Sequence, residues 1–189
     1  WLHMAKRPVE ASRSSLLAVY NVRYDVGEGR RPLWAQRILL NLPDVPGTHT
    51  VRPVADAVQG TWPGQPVVYL RARRDDGQPE DPAFRSTEDN FSRVASDVGP
   101  RFLVFNGHGL YIDSYPSLSG LVLDQAPSSE ADAARTRGDG FLRVEELFRL
   151  NLTGTELTFL AACQTALGKV SRGEGLNALT RAFMYRGSP

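Results

Sequence analysis

Near its C-terminal end the chain contains the stretch TELTFLAACQTALG, residues Thr155–Gly168. From Thr155 to Ala162, every residue except one glutamate is apolar or β-branched, which predicts a strand buried on both faces of a sheet. The run stops at Cys163, the single cysteine of the chain. The sequence therefore predicts a thiol at the point where a buried strand gives way to a loop. In α/β sheets, this is where ligands bind and chemistry takes place.

A second buried strand is predicted upstream, at RFLVFN, residues Arg101–Asn106. It ends in Gly107, His108 and Gly109, so a histidine flanked by glycines is expected at the end of a strand. Glycine lets the backbone turn sharply and lie close to a ligand. A cysteine becomes a strong nucleophile once a base removes its proton, since the free thiol has a pKa of about 8.5. His108 and Cys163 are therefore the candidate base and nucleophile.

Five sequence blocks follow one another between the histidine and the C-terminal end. They are NGHG (106–109), SGLVL (119–123), FLRVEEL (141–147), LAACQTALG (160–168) and GEGLNALTRAF (173–183). In this order, the blocks resemble a CHAT domain, a caspase-like cysteine peptidase domain that is often attached to TPR repeats. The resemblance runs from about Arg101 to the last residue.

The resemblance implies an α/β fold, the caspase-like (caspase-hemoglobinase) three-layer sandwich, with helices on both faces of a mainly parallel sheet. The alternation of predicted strands and helices favours the same layout. A chain of 189 residues suits a single domain, residues 1–189. In it, the polar stretch 125–140 is expected to be a mobile linker. Family members normally continue with further strands after the last helix, so we expect a C-terminally incomplete domain.

For function, the resemblance implies a cysteine endopeptidase that hydrolyses a protein substrate through a thioester, with His108 and Cys163 as the dyad. The backbone N–H groups of Gly109 and Cys163 are expected to hold the oxyanion. Asp113 and Asp124 are weaker candidates for binding a basic substrate side chain, because a loop aspartate is more often a turn residue. The alternative is a catalytically silent CHAT-like scaffold. A flavodoxin-like small-molecule binder is disfavoured, since no glycine-rich phosphate loop follows the first strand.

The composition of the chain indicates in which compartment it works and which classes of partner it binds. With 22 basic and 21 acidic residues, the net charge of +1 gives no footprint for nucleic acid or an anionic membrane. One cysteine cannot form an internal disulfide and suits the reducing cytoplasm, and no Cys/His spacing predicts a metal or other cofactor. No stretch reads as a signal peptide, and no apolar run reaches the roughly 18 residues of a membrane span. The resemblance adds two expected partners, a TPR or other regulatory protein and a C-terminal segment that completes the sheet, in a bacterial defence or signalling setting.

Overall fold

The computed structural model describes residues 16–22, 47–97, 99–124, 138–164 and 173–188, which form a six-stranded sheet with helices. The strands are β1 (Leu16–Val19), β2 (Val67–Leu70), β3 (Phe102–Leu110), β4 (Gly120–Val122), β5 (Phe141–Arg143) and β6 (Leu157–Gln164). The helices are α1 (Thr48–Thr61), α2 (Glu88–Asp97), α3 (Val144–Leu147) and α4 (Glu174–Tyr185), with 3₁₀-helical turns at Pro82–Phe84 and Pro116–Leu118. Most of the expected linker, residues 125–137, lies outside the described part of the chain.

The sheet is mixed, so the α/β class is confirmed but the prediction of a mainly parallel sheet is wrong. β1 pairs in parallel with β2 and β3, and β3 pairs in parallel with β6. β4 is antiparallel to both β3 and β5. Two parallel strands need a crossover of about a dozen residues or more. The connection between β3 and β4, residues 111–119, is shorter than that, and β4 therefore runs back along β3.

Apolar side chains of the central strands alternate between the two faces of the sheet, as the two-residue period of a strand requires. On one face, side chains such as Leu17 and Phe105 join the larger hydrophobic cluster with α2, α3 and α4. On the other face, side chains such as Ala18 and Val104 pack against α1. Helices therefore cover both faces of the sheet.

β3 and β6 extend further than the sequence predicts. β3 continues four residues past its predicted end at Asn106, and β6 continues two residues past Ala162. His108 and Cys163 therefore lie inside the strands, close to the carboxyl ends, with two strand residues after His108 and one after Cys163. Ladder pairing between β3 and β6 continues through this region, and tertiary context of this kind outweighs the low strand propensity of glycine.

Candidate active site

The ladder between β3 and β6 sets the candidate histidine and cysteine side by side. His108 is the Cα partner of Cys163 in this parallel ladder. Neighbouring strands lie about 4.8 Å apart, so the two backbones run alongside each other at that spacing. The pair lies near the carboxyl ends of parallel strands, the edge at which α/β sheets bind ligands. The fold therefore brings the two candidate residues together from distant parts of the sequence.

His108 lies beside a gap in the sheet. On the side of β3 that faces away from β6, the β1 ladder ends at Phe105 and the β4 ladder begins at Gly109. The two ladders thus leave residues 106–108 between them on this side of β3, near the carboxyl ends of the parallel strands, where α/β sheets bind ligands. His108 is 5% exposed. The gap is consequently the nearest break in the strand pairing through which a substrate could approach the imidazole.

The start of α1 lies close to this gap. Asn106, two residues before His108, is buried with 6% exposure. A Cβ added to Gly47, the residue before α1, would come within 3.0 Å of the Asn106 side-chain oxygen and 2.5 Å of the Tyr20 Cβ. Only a glycine fits there without displacing a neighbour, so Gly47 permits the close approach of α1. Its role depends on residues far away in the sequence, and no local pattern indicates it.

Tyr111 covers the glycine that follows the histidine. Gly109 pairs with Leu121 of β4 on one side and with β6 on the other. A Cβ on Gly109 would lie 2.6 Å from the hydroxyl oxygen of Tyr111, so the ring occupies the space of the missing side chain. The Tyr111 hydroxyl donates a hydrogen bond of 3.1 Å to the carbonyl of Ala162, the residue before Cys163. Sequence reasoning missed Tyr111, although an aromatic residue close to a strand glycine is a signal for such a contact.

The two candidate substrate-binding aspartates bond to groups of the protein. Asp113 accepts a hydrogen bond of 3.1 Å from the Gly175 N–H in the first turn of α4, where a carboxylate complements the helix dipole. Asp124 is 3% exposed, and it accepts hydrogen bonds from Arg85 Nε at 3.0 Å and Nη2 at 2.5 Å. Both carboxylates therefore make structural contacts. Their role in binding a basic substrate side chain stays a prediction.

Glu88, the first residue of α2, is a buried carboxylate that sequence reasoning did not single out. It accepts hydrogen bonds from the N–H groups of Gly140 at 2.5 Å and Phe141 at 2.7 Å. Burial, followed by repulsion from Glu146 and Asp139, raises its pKa to about 8. The two bonds tie α2 to the start of β5. Glu88 thus belongs to a different part of the sheet from the candidate dyad.

An apolar groove with a volume of about 530 Å³ lies between α1 and the amino-terminal halves of β3 and β6. Its lining includes Pro53, Ala57, Trp62, Phe102, Leu157 and Phe159. Leu157 and Phe159 of β6 are 53% and 50% exposed, so the prediction that this strand is buried on both faces is wrong. In the described part of the chain, β6 pairs with β3 alone, and the side chains on this face of β6 are left half exposed. Val104 is the lining residue of β3 nearest to His108, and four residues of strand at about 3.3 Å each separate the two. The groove is therefore distinct from the candidate dyad.

The ranges that the structure describes contain neither a cluster of metal-binding side chains nor a membrane-spanning helix. Within these ranges, no three His, Cys, Asp or Glu residues are grouped as a metal ion would require. No described helix is both long enough and apolar enough to cross a membrane.

A family model matches the part of the chain that carries the candidate site. The CHAT domain model matches residues 70–189, more than half of the sequence, and this range includes β3, β6 and both His108 and Cys163. The chain belongs to the CHAT domain family. The resemblance seen in the sequence is thereby confirmed, and the family is related to the caspase-like cysteine peptidases. No curated protein and no solved structure matches the chain.

The sheet of this CHAT domain extends beyond the matched range. The match begins at Leu70, the last residue of β2, and leaves β1 and α1 outside it. β1 nevertheless lies between β2 and β3 and pairs with both. Residues 16–61 therefore contribute a central strand and a covering helix to the sheet that carries His108.

Proposed function

We propose that this CHAT domain is a cysteine endopeptidase that cleaves a protein substrate with a dyad of His108 and Cys163. The observation that supports the proposal is the register of the β3–β6 ladder, which pairs the two residues near the carboxyl ends of parallel strands. Nucleophilic catalysis by cysteine needs a base close to the thiol. In this chain, the sheet brings its single cysteine next to a histidine.

The proposed reaction proceeds in two halves. His108 takes the thiol proton, and the Cys163 sulfur attacks the carbonyl carbon of the scissile peptide bond to give a tetrahedral oxyanion. The oxyanion collapses, the C–N bond breaks, and His108 gives its proton to the leaving amine, which leaves a thioester on Cys163. In the second half, His108 takes a proton from water while the water oxygen attacks the thioester. The C–S bond then breaks, His108 returns its proton to the Cys163 sulfur, and the carboxylic acid is released.

We assign the oxyanion to the backbone N–H groups of Gly109 and Cys163. A glycine beside the histidine places no side chain of its own between the N–H and a ligand. Because Gly109 pairs with β4 on one side and β6 on the other, its N–H meets a substrate only when the last pair of one ladder opens. Loss of a single oxyanion donor typically slows the reaction by roughly 10²- to 10³-fold.

The burial of the imidazole supports regulation of this activity. With 5% of its surface exposed, His108 meets a protein substrate only after a rearrangement near the strand ends. We therefore propose that a TPR or other partner controls the peptidase, within a signalling or defence assembly. The same burial favours the rival function, a CHAT-like scaffold in which His108 is a packing residue. A measurement of thiol reactivity separates the two.

The dyad is tested by alkylation with iodoacetamide, in the unmodified chain and in His108→Ala. The chain has one cysteine, so incorporation reports Cys163 alone. An isolated thiol is only a few per cent thiolate at pH 7, and a neighbouring imidazolium increases that fraction. We therefore expect about tenfold faster alkylation in the unmodified chain than in the variant. His49→Ala, which removes an exposed histidine of α1, is the matched control and should react like the unmodified chain.

Equal alkylation rates in the folded unmodified chain and His108→Ala would contradict the dyad and favour the scaffold. The peptidase step is then tested with fluorescently labelled casein, whose cleavage should disappear in Cys163→Ala. Cleavage of casein that persists in Cys163→Ala would contradict the endopeptidase assignment.

A further inference from the structure

Tyr111, the residue directly after β3, contacts the ends of three elements. Its hydroxyl donates to the Ala162 carbonyl of β6 at 3.1 Å. Its ring lies against Gly109 of β3, where an added Cβ would be 2.6 Å from the hydroxyl oxygen. Its own Cβ lies 3.1 Å from the place of a Cβ on Gly175, in the first turn of α4. One side chain thus links the strand of the histidine, the strand of the cysteine and the following helix.

The carboxyl ends of β3 and β6 need such a link because they offer little cross-strand packing. In the ladder, Gly107 lies opposite Ala162, and Gly109 lies opposite Gln164. Pairs of facing side chains stabilise a sheet, and a glycine supplies no side chain to its pair. In the described part of the chain, β6 pairs with β3 alone. An aromatic ring that covers a strand glycine restores part of the missing packing.

The contact with Ala162 also orients the next residue. The carbonyl of Ala162 and the N–H of Cys163 belong to one planar peptide unit, so they point in opposite directions across it. A hydrogen bond that holds the carbonyl therefore fixes the direction of the Cys163 N–H. It also polarises the peptide unit and makes that N–H a better donor.

We propose that Tyr111 is a positioning residue for the dyad, whose hydroxyl fixes the Ala162–Cys163 peptide against β3 and the histidine that β3 carries. This proposal rests on the proposed function. It assigns to Tyr111 both the placement of the nucleophile and the direction of one oxyanion donor. Tyr111 itself does not exchange protons with the substrate.

The test replaces Tyr111 by Phe, which keeps the ring over Gly109 and removes only the hydrogen bond to Ala162. Iodoacetamide alkylation at pH 7 is measured in the unmodified chain, Tyr111→Phe, His108→Ala and the double variant. Loss of one neutral hydrogen bond corresponds to roughly a fivefold change. The acceleration that depends on His108 should therefore fall from about tenfold to about twofold in the Tyr111→Phe background.

Tyr115→Phe is the matched control, because Tyr115 lies in the same connection and is 66% exposed. It should leave the factor that depends on His108 at its value in the unmodified chain. Thermal unfolding followed by circular dichroism verifies that every variant is folded. A merely structural role for Tyr111 would lower the unfolding midpoint and leave that factor unchanged.

The outcomes separate the two proposals. The positioning role is supported if the acceleration of alkylation that depends on His108 is smaller in Tyr111→Phe and unchanged in Tyr115→Phe. The same factor in the unmodified chain and in Tyr111→Phe overturns the role and leaves the dyad standing. An equal reduction in both tyrosine variants also overturns it, since the effect is then not specific to the Ala162 contact. If His108→Ala has no effect in the unmodified chain, the dyad fails and the positioning role fails with it.

Discussion

Two regions of the molecule contain buried polar side chains but hold these side chains differently. The first lies at the carboxyl ends of β3 and β6, and the second lies where α2 meets β4 and β5. We call the second region the charged clamp; it comprises Arg85, Glu88, Asp124, Asp139, Arg143 and Glu146. In the clamp, the carboxylates bond directly to partners, Asp124 to Arg85 and Asp139 to Arg143. At the strand ends, the ladder register places His108, and the Tyr111 hydroxyl holds the peptide before Cys163.

A perturbed pKa therefore does not by itself mark a reactive site. Burial raises the pKa of Glu88 to about 8, a kind of shift that is common at active sites. Yet its bonds to the backbone of Gly140 and Phe141 join a helix to a strand. The pKa of Glu88 is raised because its carboxyl group is buried when the chain folds. The candidate dyad is indicated instead by the register of two strands.

The largest expected effect is the pH dependence that Glu88 gives to stability. Its pKa is raised from 4.5 to about 8 in the folded chain, so the folded state binds its proton more tightly than the unfolded state. Stability is therefore lost as the pH rises from about 4.5 through 8, at about 1.4 kcal/mol per pH unit. Glu88→Gln removes this titration. Its free energy of unfolding, relative to the unmodified chain, should rise by on the order of 3–4 kcal/mol between pH 5 and pH 8.5.

Urea unfolding at pH 5, 6.5 and 8.5 measures this difference, in which the other titrating groups largely cancel. Glu145→Gln, at an exposed carboxylate of α3, is the matched control and should track the unmodified chain at each pH. A Glu88→Gln difference that is constant across the three pH values would show that the clamp does not hold a neutral Glu88.

The second effect tests whether Asp124 belongs to the clamp or to a substrate pocket. Asp124→Ala leaves Arg85, whose side chain is 17% exposed, without its buried carboxylate. Removing one partner of a buried pair is strongly destabilising, so we expect a loss of about 3 kcal/mol in urea unfolding. Alkylation of Cys163 should keep its dependence on His108.

Asp56→Ala, at an exposed aspartate of α1, controls for the loss of a charge and should change stability little. Unchanged stability of Asp124→Ala, combined with loss of cleavage after basic residues, would move Asp124 from the clamp to the substrate site.

The smallest expected effect concerns Asp113, which lies near the strand ends. Asp113→Ala removes the acceptor for the Gly175 N–H in the first turn of α4, and losing such a capping contact costs about 1 kcal/mol. Asp113→Asn keeps an acceptor oxygen and should lose less stability. If both variants instead abolish cleavage after basic residues at unchanged stability, Asp113 binds substrate and is not a helix cap.

Local sequence was enough to predict the parts of this protein that depend on residues close together in the chain. The apolar runs before His108 and Cys163 predicted two strands, and both strands form. Only β3 is buried as predicted, whereas Leu157 and Phe159 of β6 are half exposed. The order of the blocks from NGHG to GEGLNALTRAF predicted the CHAT family, which the family match confirms. These features require no knowledge of which elements are neighbours in space.

The contacts between residues far apart in the sequence depend on how the chain folds. The Tyr111 bond to Ala162 spans 51 residues, and the Glu88 bond to Gly140 spans 52. The pairing of β3 with β6 carries β3 past its predicted end at Asn106 and β6 past its predicted end at Ala162. Three contacts join segments that are far apart in the chain: the pairing of β3 with β6, the Tyr111 contact with β6, and the Glu88 contact with the start of β5. Sequence therefore determined which residues carry the candidate chemistry, and the packing of the sheet decided how they are held.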